Sequence, residues 1–135
     1  MQSEHLTNVH PGWVLGGWLV SVAVASGVYI AFVGMGLASG AGDEAMWDLL
    51  AVAVGFFVGG FFVGIRWTEA PILHGLVFGL VSMLVLLGVN LVAPEAGEPA
   101  MPLGDSVSLV LSVILLQVVA AVAGGFTGRR MVVGS

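Results

Sequence analysis

Cysteine is absent from this chain of 135 residues, and so is lysine. The first absence removes disulfides and thiolate metal sites. The second leaves Arg66, Arg129 and Arg130 as the only basic residues, with a formal net charge of -5. Without a basic cluster to neutralise phosphates, the charge pattern argues against nucleic acid as a partner. Charge of either sign is scarce at 8% of residues, whereas 59% are hydrophobic, and mean hydropathy is +1.11. A water-soluble fold of this size could not cover that much apolar surface, so the solvent implied is a bilayer. Reactive constellations are missing as well. No nucleophile elbow, P-loop, HExxH or paired-carboxylate arrangement is present, so no catalytic, cofactor-binding or metal-binding residue is expected and the chain does not read as an enzyme.

What the chain does have is four long apolar stretches, at about residues 12–37, 45–67, 71–92 and 106–128. Crossing the hydrocarbon core takes about 20 apolar residues in a helix, and none of the stretches alternates with period two as barrel strands do. The expected fold is all-α, an integral membrane four-helix bundle forming a single membrane domain over residues 1–135. Residues 1–10 lack the positive flank of a secretory signal, and the first stretch is too long for a signal core, so it is expected to be retained. Pro71 suits the first turn of the third helix. Asp43, and Asp105 or Ser106, are the N-cap candidates of the second and fourth.

Arg66 ends the second stretch, and Arg129 and Arg130 end the fourth, whereas the opposite loops carry Asp43, Glu44, Asp48, Glu95, Glu98 and Asp105. The positive-inside rule then places both termini in the cytoplasm. Trp13, Trp47 and Trp67 lie near span ends, where indoles anchor at the interface.

The second stretch contains a tandem pentapeptide, residues 55–59 (Gly-Phe-Phe-Val-Gly) repeated at 60–64. At about 100° per residue, Gly55 and Gly59 share one helix face, and Gly60 and Gly64 share another rotated by about 140°. Small residues let backbones approach in lipid, so the second helix is expected to touch two different neighbours. Candidate complementary notches are Gly12 with Gly16, Ala23, Gly27 and Gly34 on the first helix. Gly75 and Gly79 serve on the third, and Gly124 and Gly128 with Ala120 or Ala121 on the fourth. A shift of 64 residues aligns Gly60, Phe62, Gly64 and Arg66 with Gly124, Phe126, Gly128 and Arg130, a pattern that suggests a two-helix internal repeat.

The middle thirds of the spans hold no ionisable residue, although such residues mark most ion and proton pathways. Gln117 is the notable polar group there, with two readings: a hydrogen bond to a neighbouring helix, or a place along a pore. His10 and His74 each open an inward-starting helix, without a third residue spaced to complete a metal site. Hydrogen bonding to loop carbonyls or exposure is the expected state of both. Arg66 and Glu69 are three apart and would pair if the helix continued. The segment 93–104, with three prolines and two acids, reads as a connector or a docking loop.

Residues 59–66 (Gly-Gly-Phe-Phe-Val-Gly-Ile-Arg), a short turn, then Pro71-Ile72-Leu73-His74-Gly75 and Gly79 resemble a loose group of uncharacterised small prokaryotic membrane proteins with four spans. There a glycine-rich, arginine-ended second helix precedes a His-Gly opening to the third. The run from Gly124 to Arg130 matches the end of the group's fourth helix. The resemblance implies the architecture and no activity. Small multidrug exporters and fluoride channels fit less well, because the carboxylate of the former and the Thr-Phe-Ser-Thr run of the latter are missing. The expected function is that of a non-enzymatic accessory subunit of a larger complex in the prokaryotic inner membrane, respiratory or photosynthetic in kind. Its partners would be lipids and other integral subunits or itself. The alternative is a homo-oligomeric channel or small-solute transporter lined by Gln117 and the serines.

Overall fold

A computed structural model describes residues 9–38, 44–92 and 103–134. These form four helices: α1 (Pro11–Gly34), α2 (Glu44–Arg66), α3 (Pro71–Val92) and α4 (Leu103–Val133). Each is long and apolar enough to cross a membrane, which makes this a multi-pass membrane fold.

Local chemistry sets several of the helix ends. Pro11 and Pro71 occupy the first helical positions of α1 and α3, where a missing N–H costs nothing and φ is already helical. The first helix stops at Gly34, three residues before the end expected from hydropathy, because Gly36 takes the left-handed conformation at φ 77. The Gly36 N–H then donates to Val33 O, and the Leu37 N–H donates to Phe32 O. This is the Schellman arrangement, which ends a helix by satisfying its last carbonyls.

The fourth helix differs most from expectation. It begins at Leu103, so Asp105 and Ser106 lie inside its first turn and neither is the N-cap. It also continues past Gly128 to Val133, carrying Arg129 and Arg130 within it. At 1.5 Å per residue it extends about 46 Å, more than the hydrocarbon thickness, so Arg129 and Arg130 reach the polar interface without unwinding. Asp43 and the proline-rich segment 93–102 lie outside the described residues.

The order around the bundle is α1, α2, α4, α3. The α2–α4 contact is the most extensive, followed by α1–α2 and α3–α4, while α1 and α3 meet only narrowly. Gly55 of α2 faces Ser21 and Ala25 of α1, and Gly59 faces Gly17 and Ser21. On the other face, Gly60 lies against the Ala121 backbone of α4 and Gly64 against Gly125. The α4 glycines answer, with Gly124 against Phe57 and Phe61, and Gly128 against Phe61 and Ile65. Contact positions on α2 and α4 rise together, so these two helices run parallel, and Arg66, Arg129 and Arg130 lie at the same end. Gly75 and Gly79 of α3 face Val118 and Val122 of α4.

These glycines are not equivalent. A Cβ at Gly60 would sit 2.7 Å from Ala121 Cα, and one at Gly64 2.8 Å from Gly125 Cα, with the facing carbonyl oxygen closer still. Backbone cannot step aside. At Gly75 and Gly79 the nearest obstacles are methyl groups of Val122 and Val118, which have some freedom to move. On α1 the packing residues are Gly17, Ser21 and Ala25, whereas Gly12, Gly16, Gly27 and Gly34 have nothing within 4 Å of a would-be Cβ. The face expected from Gly12 and Gly16 is therefore off by one residue, about 100° around the helix.

Beside the seams sits a small core of Val14, Phe56, Val63, Phe78 and Ala121. Phe78 is fully buried and meets Phe56 edge to face, with ring centroids 6.3 Å apart. Of the four tandem phenylalanines only Phe56 is buried, while Phe57 and Phe62 look outward.

The expected outcome of this packing is a contrast between identical substitutions. Gly60→Ala and Gly64→Ala drive a methyl into backbone and lower stability by about 1–3 kcal/mol, read as a drop in thermal unfolding midpoint in detergent. Gly27→Ala and Gly88→Ala, both facing open space, leave it unchanged or raise it by up to about 1 kcal/mol. Equal effects at all four positions would contradict the seam.

Candidate functional site

The buried residues of α1 end at Ser21, those of α3 end at Gly79, and those of α4 begin at Ala121. The bundle is therefore closed over the half that holds the arginines and open over the other half. Between α1 and α3 the opening forms a groove of about 470 Å³, lined mainly by aliphatic side chains of α1 and α3, with Asp48, Val52 and Phe56 of α2 and Gln117 of α4. A second groove of about 270 Å³ lies between α3 and α4. Ser82, Leu86 and Gln117 line both, so Gln117 stands on the ridge between them.

One hydrogen bond crosses the floor. Trp18 Nε1 donates to Ser82 Oγ over 2.9 Å, linking α1 to α3 at the point where the closed half gives way to the groove. Trp18 is thus a tie between helices. Four other small polar side chains bond within their own helix: Ser21 to Gly17 O, Asn90 to Leu86 O, Ser112 to Ser108 O and Thr127 to Ala123 O. Such bonds to the preceding turn are the usual resort of a hydroxyl or amide in hydrocarbon.

Gln117 is the exception. Its Oε1 is buried without a hydrogen-bond partner. Neither a neighbouring backbone group nor a hydroxyl satisfies it, although both lie within the chemistry the bundle offers. Leaving an amide oxygen unpaired in an apolar setting costs about 1–3 kcal/mol. Tyr29 and Asp48 line the groove with Ser26 and, together with Glu44 and Ala45, also line a more open recess of about 380 Å³ beside it.

At the opposite end Arg66 lies over the rings of Trp13 and Trp67, at 5.6 and 6.0 Å from their centroids. Because α2 stops at Arg66, Glu69 does not share a helical face with it. His10 stacks on Trp67 with centroids 3.7 Å apart. His74 is buried, and its Nδ1 lies 2.8 Å from the carbonyl oxygen of Ala70 in the α2–α3 turn. The two histidines thus occupy separate contacts, and no group of three His, Cys, Asp or Glu that could hold a metal comes together among the described residues.

Fold and groove together define a multi-pass membrane helix bundle, packed through glycine at one end and open at the other. No protein-family model matches the chain, and no significant match was found among curated proteins or solved structures.

The Trp18–Ser82 tie has a measurable consequence. Ser82→Ala and Trp18→Phe each remove the same interhelix bond, expected at about 0.6 kcal/mol, the average for such bonds in membranes. The double variant should then lose little more from that bond than either single one. A double-mutant cycle of unfolding free energies checks this, and strictly additive losses would rule the tie out.

Proposed function

We propose that this protein is a non-enzymatic integral membrane subunit of a prokaryotic inner membrane, packed as a structural or accessory element in a larger complex, respiratory or photosynthetic in kind. In this reading the arginine-bearing end faces the cytoplasm, with both termini there, following the positive-inside rule. The observation that carries it is the pair of open grooves in one half of the bundle, with Gln117 on the ridge between them. Acyl chains would fill the grooves by volume but carry no hydrogen-bonding group for the serine and glutamine side chains that line them. A transmembrane helix bearing a serine, threonine, asparagine or tryptophan would supply both bulk and donor.

The α2–α4 seam supports descent from a duplicated helix pair. Adding or subtracting 64 exchanges the contact Gly60–Ala121 with Phe57–Gly124, and Gly64–Gly125 with Phe61–Gly128. The Trp18–Ser82 bond has the same separation. The outer pairs depart from that symmetry: Gly59 meets Gly17, but the equivalent shift would place residue 123 against 81, whereas α3 meets α4 through Gly79 and Val118.

The second reading, a homo-oligomeric channel or transporter, draws on the convergence of Ser26, Ser82 and Gln117 on one groove. A path through a single copy would have to cross the core of Val14, Phe56, Val63, Phe78 and Ala121. Purification from native membranes followed by native mass spectrometry separates the two readings. The accessory role predicts co-migration with other integral subunits, weakened in Gln117→Leu while the unfolding midpoint is kept. Recovery only as a monomer or homo-oligomer would overturn it.

A further inference from the structure

Trp67 and His74 stand on either side of the α2–α3 turn, and each keeps one ring nitrogen buried without a hydrogen-bond partner, indole Nε1 and imidazole Nε2. Both side chains line one cavity of about 10 Å³, walled on the far side by Gly60, Gly64, Ala121 and Gly125 of the α2–α4 seam. His74 Nδ1 lies 2.8 Å from the Ala70 carbonyl, which can only accept, so Nδ1 carries the proton. In the Nδ1–H tautomer Nε2 is a lone pair in need of a donor, whereas the indole N–H is a donor in need of an acceptor.

The two nitrogens are complementary but not bonded to each other. A species that satisfies both must donate and accept at once. A cation would suit the imidazole lone pair but meet the positive end of the indole N–H, and an anion would face the reverse conflict. The cavity volume, close to one probe sphere, admits nothing larger than water.

We propose that this cavity is an internal water site, in which one water donates to His74 Nε2 and accepts from Trp67 Nε1–H. Its surroundings hold both rings in place. His10 stacks on the indole at 3.7 Å. Ala70, in the left-handed region at φ 49, presents the carbonyl that fixes the imidazole. The water joins the end of α2 to the first turn of α3 directly behind the glycine seam. Two polar groups can therefore stay buried where the helices pack most closely.

Nuclear magnetic resonance of the full ¹⁵N-labelled chain in lipid tests this. The expected result is a His74 ring protonated at Nδ1 with a bare Nε2, and magnetisation transfer from a long-lived water to both the His74 ring and the Trp67 indole N–H. Trp67→Phe identifies the indole signal and should abolish the transfer to His74. A direct indole–imidazole hydrogen bond, an Nε2–H tautomer, or absence of water transfer at both rings in the wild-type chain would overturn the proposal.

Discussion

Backbone-to-backbone contact along α2 is the constraint on which the rest of this bundle depends. In lipid, burial of apolar side chains gives helices no net reason to associate, and close van der Waals packing takes over. Gly60 and Gly64 bring α2 so close to α4 that a single methyl would collide with the Ala121 and Gly125 backbones. Such approach favours dispersion along the whole seam and the weak Cα–H···O contacts that add about 0.5–1 kcal/mol each. Because Gly55 and Gly59 do the same toward α1, one helix holds two neighbours on two faces.

The position of those glycines along the helices decides the shape of everything else. Small residues gather in the half near Arg66, where Gly17, Gly75, Gly79, Gly124 and Gly128 also lie against neighbouring helices. Beyond Ser21, Gly79 and Ala121, none of the described side chains of α1, α3 and α4 is buried, and the grooves open there. Trp18 and Ser82 mark the border, and Gln117 lies just past it, where no helix of its own bundle supplies a donor. The functional proposal follows from this division into a closed half and an open one.

Hydropathy and helix length made the four spans readable from the amino-acid sequence, and helical geometry was enough to separate the tandem pentapeptide into two directions. The misplacements have physical causes. On α1 the sequence offers Gly16 and Gly17 side by side, and only the contact with α2 shows that Gly17, Ser21 and Ala25 form the packing face. The early start of α4 reflects a helix that begins directly after Pro102, ahead of the polar residues expected to cap it. The Trp18–Ser82 tie links residues 64 apart and leaves no local signature. The Trp67 and His74 cavity depends on a turn with Ala70 at positive φ, which no propensity favours.

The parallel seam of α2 and α4 is the contact to test in a real bilayer. Solid-state magnetic resonance of the chain in lipid, with ¹³C at glycine Cα and alanine and glycine carbonyls, reads that contact. Through-space cross-peaks are expected from Gly60 Cα to the Ala121 carbonyl and from Gly64 Cα to the Gly125 carbonyl. Their absence, in a sample that still shows the Gly59 to Gly17 contact of α2 with α1, would contradict it.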